Sequence, residues 1–516
     1  MFLLFFLAAC AFVYAYTKRN SKKHPPLPPG PPADPIIGHL RKIPPDNQET
    51  LFYQWGKKYG DVMHLHFLGR SVIILNSAKA ATDLMDKRSA NYSDRPHFAL
   101  FEMMGWKSTV SLMPYGKKFH KHRRMLQQYL TPNKCLDYQS IQVREARVLL
   151  QSILEDGHNL DTFLRRQGLT PMNRYATAII IRIAFGHQIT SDDDPYVTIS
   201  QEAGHALSNA GSPGSTPIDY FPWLRYFPSW FPGTHYAGFA RDNKGPTDNL
   251  HQYPFKQVTA QMAEGTAKSS FLSTQLEALS RETGPDAFTF DDIKGAAGVM
   301  YCAGADTTWS SLSIFFLAMV LNPEQQARAQ KELDEVVGPD RLPEFKDRPS
   351  LPYLECVLQE TLRWNSAVPL GIPHRSMEDD VYNGMFIPKG SLMIANTRAI
   401  TLDENVYKDP FTFNPSRFLP KPEGNGEPNP VGTFGYGRRV CPGIHLGDSS
   451  LWIVVASVLS TMNVMKAIDS DGKEITPDVS FTSGITSHPR PYQCLVKPRS
   501  ETARNLVANN DTSDTY

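Results

Sequence analysis

Cys441 is surrounded by the residue types that a metal-bound thiolate needs. It lies in the run Phe434-Gly435-Tyr436-Gly437-Arg438-Arg439-Val440-Cys441-Pro442-Gly443. A cysteine that ligates haem iron must be ionised, shielded from oxidation and open to a flat macrocycle. That calls for small neighbours, hydrogen-bond donors and an aromatic cover. Gly437 and Gly443 permit the close approach, Phe434 can cover the sulfur, and Arg439 is placed to meet a haem propionate as a charge-assisted partner. The competing reading is a buried free cysteine beside a glycine-rich turn, the usual fate of a lone cysteine.

A second constellation, Ala303-Gly304-Ala305-Asp306-Thr307-Thr308, falls in the middle of a helical stretch from about Phe290 to Leu321. Glycine and threonine are poor interior helix residues, so the stretch opposes its own propensity. Such conflicts mark functional sites, although a broken core helix with incidental hydroxyls is the bland alternative. Glu360 and Arg363 share a face of the helical periodicity from Tyr353 to Trp364. Most pairs of that kind are solvated and worth little. Lys117-Lys118-Phe119-His120-Lys121-His122-Arg123-Arg124 is a basic run, more often a solvated face than a site.

These residues need elements to hold them. Val62–Phe67 and 71–75 predict a hairpin about Leu68-Gly69-Arg70, and Asn383-Gly384 predicts another. The segments 77–88, 141–156, 177–185 and 323–336 read as helices, whereas 403–432 is rich in Pro, Asn and Gly with little periodicity. The expected fold class is mainly α with small β-sheets.

The Cys441 run fills every fixed position of Phe-x-x-Gly-x-Arg-x-Cys-x-Gly and so resembles the cysteine-ligand loop of the cytochrome P-450 family. Ala303 to Thr308 resembles that family's oxygen-binding motif, and Phe413-Asn414-Pro415-Ser416-Arg417-Phe418 its Pro-x-Arg-Phe segment. The resemblance implies the P-450 fold, one large haem domain over 36–498, and heme b ligated through Cys441. It also implies that the helix opens where Ala303 and Gly304 make room for oxygen, that Asp306 and Thr307 relay protons, and that Glu360, Arg363 and Arg417 form a buried charge network. Arg123 and His374 would contact propionates, with a solvated histidine as the alternative for His374. Phe119 stands where the family usually has tryptophan.

The implied activity is that of a haem-thiolate monooxygenase acting with dioxygen on a hydrophobic small molecule. The chain carries no Gly-rich phosphate loop followed by a helix, so its electrons are expected from a separate NADPH-cytochrome reductase docking on the remaining cations of the 117–124 run, Lys117 and Lys121 among them, together with Arg438. A reductase-independent isomerase, dehydratase or peroxygenase is the alternative, and a haem-binding sensor or scaffold a third. Analogy places the pocket lining at 98–106, 300–308, 367–372 and 481–486, which are largely apolar. The sequence most resembles fungal secondary-metabolism or xenobiotic members.

At the amino end, Phe2 to Tyr16 is apolar and precedes Lys18, Arg19, Lys22 and Lys23. Its 15 residues span roughly 22 Å, short of a hydrocarbon core of about 30 Å unless the flanks snorkel. A cleaved signal peptide competes, but the positive charge follows the apolar run and leaves the bulk of the chain cytosolic. Residues 1–17 are therefore expected as a membrane anchor and 18–35 as a basic, proline-rich hinge, in the endoplasmic reticulum membrane by analogy with microsomal members. The aromatic, proline-rich run 220–232 is expected to touch lipid. Net charge +1 gives no nucleic-acid signature, the six cysteines show no zinc spacing, and the polar tail 499–516 is expected to be disordered.

Overall fold

The computed structural model describes residues 24–155, 171–191, 193–211, 214, 216–281 and 287–510. The expected anchor lies outside them. Ten helices matter here: α1 (Lys117–Gln127), α2 (Gln139–Glu155), α3 (Pro171–Phe185), α4 (Pro195–Ser208), α5 (Lys244–Glu264), α6 (Phe290–Leu321), α7 (Pro323–Val336), α8 (Pro352–Trp364), α9 (Ile444–Thr461) and α10 (Glu501–Ala508). Nine short strands complete the body: β1 (Val62–Phe67), β2 (Arg70–Leu75), β3 (His374–Arg375), β4 (Asp380–Tyr382), β5 (Met385–Ile387), β6 (Leu392–Ala395), β7 (Met462–Ile468), β8 (Glu474–Ile475) and β9 (Cys494–Pro498).

The axis of the fold is α6. A capping box starts it, with Thr289 accepting from the Asp292 amide and Asp292 accepting from the Thr289 amide, and Asp291 and Asp292 favour the positive end of the helix. It is apolar nearly all round, which a helix tolerates only when covered on every side. Helices α3, α5, α8 and α9 and strand β7 supply that cover. Both α6 and α9 are long and apolar enough to cross a membrane, yet 72% and 67% of their apolar windows are buried inside the fold, so both are core helices. Gly304 lies where α3 crosses α6. A Cβ there would come within 3.1 Å of Ile180, so this glycine serves the helix contact, a role its sequence context did not suggest. Nor does α6 open locally as expected, since it runs helical from Phe290 to Leu321.

The main sheet has order β1-β2-β6-β3, antiparallel except for the parallel β2–β6 pair. The predicted β4–β5 hairpin turns at Asn383 and Gly384, both with positive φ, the geometry that favours Asn-Gly. A third sheet has order β8-β7-β9.

Two boundaries differ from expectation. The proline-rich segment is docked on the sheets, where Pro29 accepts from the His64 amide at 2.9 Å and Pro26 from the Phe386 amide at 2.8 Å. Proline has no N–H but keeps its carbonyl, so it can still extend a sheet edge. The tail does not begin at 499 as disorder: Ser500 caps α10, which buries Ala503 and Val507, and Arg499 forms a two-point ion pair with Asp334 at 2.6 and 2.8 Å. Few apolar residues mark this helix because α2 and α9 supply most of the surface that it covers. Val507→Asp is expected to cost on the order of 2 kcal/mol, read as a lower denaturation midpoint; an unchanged midpoint would show that α10 adds nothing to the fold.

Candidate active site

The Cys441 loop is closed by its own backbone, the Cys441 amide donating to the Phe434 carbonyl at 2.8 Å. Gly437 has φ +51°, and a Cβ on it would meet the Met85 carbonyl oxygen at 2.5 Å. It therefore serves packing against residues 85–89, not the open face of the loop that the sequence reading gave it. Gly443 does face the sulfur, with its Cβ direction 3.8 Å from Sγ, and it precedes α9. Burial pushes the Cys441 thiol up, opposed by the Gly443 amide and the positive charge of Arg123. A bound cation would complete the shift to thiolate.

Around the loop run three arginines and a buried histidine. The Arg439 guanidinium donates to the carbonyls of Ser93 (2.7 Å), Val110 (3.2 Å) and Met113 (2.8 Å), and lies 3.7 Å from the Phe119 ring centre. Burial pulls it down to about 10. Arg95 donates to Ser111 and Pro373, each at 2.8 Å, and burial and then Arg439 pull it far below its usual value. His374 is buried with Nδ1 2.6 Å from the Tyr92 carbonyl, and burial and Arg95 hold it well below the usual histidine range. Arg123 donates to the Val440 carbonyl. Asp94, the carboxylate that Arg95 and Arg439 both feel, already accepts from Arg375 and from the Tyr115 amide. An anion with two carboxylates would relieve this desolvated positive charge, so the site fits a haem with its propionates. Arg95 was missed in the sequence because Ser93-Asp94-Arg95-Pro96 has no periodicity or motif to mark it.

The other flank is α6. Ala303 is the only exposed residue between Gly295 and Val320, with Gly304, Thr307 and Trp309 half-buried. The Thr307 hydroxyl donates to the Ala303 carbonyl at 2.8 Å. Asp306 points elsewhere: Oδ2 accepts from the Thr486 hydroxyl at 2.5 Å, and Oδ1 lies 3.1 Å from His488 Nε2. The predicted acid and alcohol are thus neighbours without a mutual hydrogen bond. Thr486, on a loop some 180 residues away, was expected only as the end of the 481–486 pocket lining, and His488 carried no sequence signal.

Glu360, Arg363 and Arg417 do form the expected buried network, all 0% exposed. Glu360 accepts from Arg363 at 2.7 and 2.8 Å, from Arg417 at 3.1 Å and from the Asn414 amide at 2.7 Å. Glu427, not foreseen, accepts from Arg417 at 2.6 Å and brings the group to two positive and two negative charges. Of the expected basic face, Lys121 is half-buried against the Asp292 carboxylate and the Ala287 carbonyl, whereas Lys117, Lys118, Arg124 and Arg438 are exposed. Of the apolar residues expected in the pocket, Phe98, Phe101, Met104 and Trp106 are buried, and Met103, Val368, Leu370, Ile372, Phe481 and Ile485 are half-buried.

A family model described as Cytochrome P450 matches residues 28–496. The chain belongs to the cytochrome P450 family. Curated relatives include Cytochrome P450 monooxygenase 136 of Postia placenta, 39% identical over 99% of this chain and 96% of the relative. Cytochrome P450 monooxygenase claR of Ampulloclitocybe clavipes is 40% identical over 95% of this chain and 89% of the relative. A solved zebrafish cytochrome P450 with abiraterone shares the fold, with a TM-score of 0.71 and 23% identity over 88% of this chain and all of that one. This P450 is accordingly a monooxygenase, and its family implies a cysteine-ligated haem, a redox partner, an organic substrate and dioxygen.

Removing one partner of the buried network leaves charge without compensation. Arg363→Ala is expected to cost about 3–5 kcal/mol and to remove haem incorporation; a variant with normal haem content would separate the network from the haem core.

Proposed function

We propose that this P450 binds heme b through Cys441 and inserts one oxygen atom from dioxygen into a hydrophobic substrate, with electrons from a separate NADPH-dependent reductase. The observation that carries the reading is the pairing of Cys441, whose upward push by burial is opposed by the Gly443 amide and Arg123, with the arginines Arg123, Arg439 and Arg95 and the buried His374 beside them. When bound, the haem supplies the dioxygen chemistry, and the thiolate pushes electron density that favours O–O cleavage. Arg439, Arg95 and His374 would hold the propionates, and Phe434 and Gly443 would shape the sulfur's surroundings. Ala303 keeps the α6 flank clear, and Asp306 and Thr307 move protons.

The half-buried apolar lining from Met103, Val368, Leu370, Ile372, Phe481 and Ile485 favours a hydrophobic substrate such as a secondary metabolite or an aromatic xenobiotic. Trp223, Tyr226 and Trp230 are 53%, 82% and 81% exposed, which supports lipid contact at the endoplasmic reticulum with the catalytic domain in the cytosol. Exposed Lys117 and Arg438 support docking of an acidic reductase.

Carbon monoxide should give the reduced wild type a strongly red-shifted Soret band that Cys441→Ser lacks; haem-loaded wild type without that band would remove the reading. Charge reversal at Lys117 and Arg438 is expected to raise the KM for reductase about tenfold at low salt and to matter less as salt rises. A KM indifferent to both would remove the docking face.

A further inference from the structure

The loop that carries two of the apolar pocket residues, Phe481 and Ile485, also grips the acid of α6. Thr486 donates to one oxygen of Asp306, and His488 Nε2 lies 3.1 Å from the other. Several neighbours fix the imidazole. Its centroid is 4.3 Å from that of Trp309, and its backbone amide donates to the Thr482 hydroxyl at 3.0 Å. The carbonyl of Ser487, next in the chain, accepts from Ser310 of α6. The ring is 12% exposed, and its Nδ1 is buried with no hydrogen-bond partner among the described residues. A buried ring nitrogen left without a partner costs free energy, and a purely structural clamp would not need it.

We propose that His488 is a positioning and proton-feeding residue that acts through Asp306. The proposal rests on the monooxygenase reading. With the loop as it stands Nδ1 is sealed, so the relay runs when the loop shifts to admit water to that atom: one proton then leaves Nε2 for Oδ1 of Asp306 as one proton from a solvent acid enters at Nδ1. The ring stays neutral and changes tautomer, and Asp306 becomes a carboxylic acid that can pass the proton on. Thr486 holds the second oxygen so that the first faces the imidazole. Because Phe481 and Ile485 share this loop, a substrate pressing on them acts on the same segment that aims the acid.

His488→Gln separates holding from feeding, since its amide can still donate to Asp306 but cannot carry a proton through. The expected result is unchanged haem content, thermal midpoint and infrared C–O stretch of the reduced carbon-monoxide complex. Peroxide released per NADPH should rise on the order of tenfold, with a larger solvent deuterium isotope effect. The same substitution should add nothing in an Asp306→Asn background. Normal coupling in His488→Gln, or an additive effect in that background, overturns the proposal. Should His488→Gln fail to load haem, His488→Asn replaces it, with the same rise in peroxide expected and normal coupling again overturning the proposal. A wild type without the red-shifted carbon-monoxide band removes the monooxygenase reading itself, whereas the band with normal coupling in His488→Gln removes only the role of His488.

Discussion

The carboxylate of Glu360 is the interaction on which the region below the Cys441 loop depends. Placing one glutamate and two arginines in a fully buried position is expensive, and such groups rarely repay their desolvation in stability. What this one does instead is hold backbone. Arg363 donates to the Thr401 carbonyl, and Arg417 donates to the carbonyls of Lys408, Asp409 and Thr412. Glu360 accepts from the Asn414 amide. These are the main-chain groups of a stretch with almost no regular structure, which would otherwise be orphaned away from water. Charged side chains therefore do there what ladders do in a sheet, and Glu427 neutralises the last positive charge. The chain then enters the Cys441 loop from a fixed point.

The loop itself reverses that balance. In the Glu360 network each charge is matched, whereas Arg95, Arg439 and His374 crowd together with their charged forms disfavoured by burial. The cost is tolerable because each arginine is hydrogen-bonded to carbonyls, which orient the guanidinium without neutralising it. Cys441 is held as a thiol by the same burial. Arg95 and Arg439 would meet the two propionates of a haem, and Cys441 would be ionised by its iron, so one bound group would address both strains together. Binding and site electrostatics are then one problem, and the residues on the two sides of the macrocycle are coupled through it.

Much of this was legible before any coordinate. Helices α6 and α7 begin and end at the residues expected, because a capping box, Asn322 and Pro323 punctuate them. Both hairpins turn at their glycines. Glu360, Arg363, Arg417 and Cys441 were found through motifs, which are local in sequence. The illegible features share one physical cause, that they depend on what approaches from elsewhere. Gly304 answers to Ile180, Gly437 to the backbone of Met85, α10 to the surfaces of α2 and α9, and the proline-rich segment to open strand edges. Arg95, Glu427 and His488 belong to the same class, since each acquires its meaning from a partner distant in the chain.

The polar motif of α6 deserves a physical account as well, because a helix so apolar cannot leave polar side chains unpaired. Thr307, Asp306 and the nearby Ser310 are satisfied in different ways. Thr307 turns back on its own helix at Ala303, the local bond that lets a threonine sit inside a helix without breaking it. Ser310 leaves the helix for the Ser487 carbonyl, and Asp306 for Thr486 and His488. Two of the three therefore tie α6 to one loop, which also carries the half-buried Phe481 and Ile485. The helix axis is fixed by α3, α5 and α9, and the loop meets α6 through a few hydrogen bonds and one tilted ring contact. Both oxygens of Asp306 are therefore engaged by residues of that loop, which is why the aim of Asp306 is set from outside its own helix.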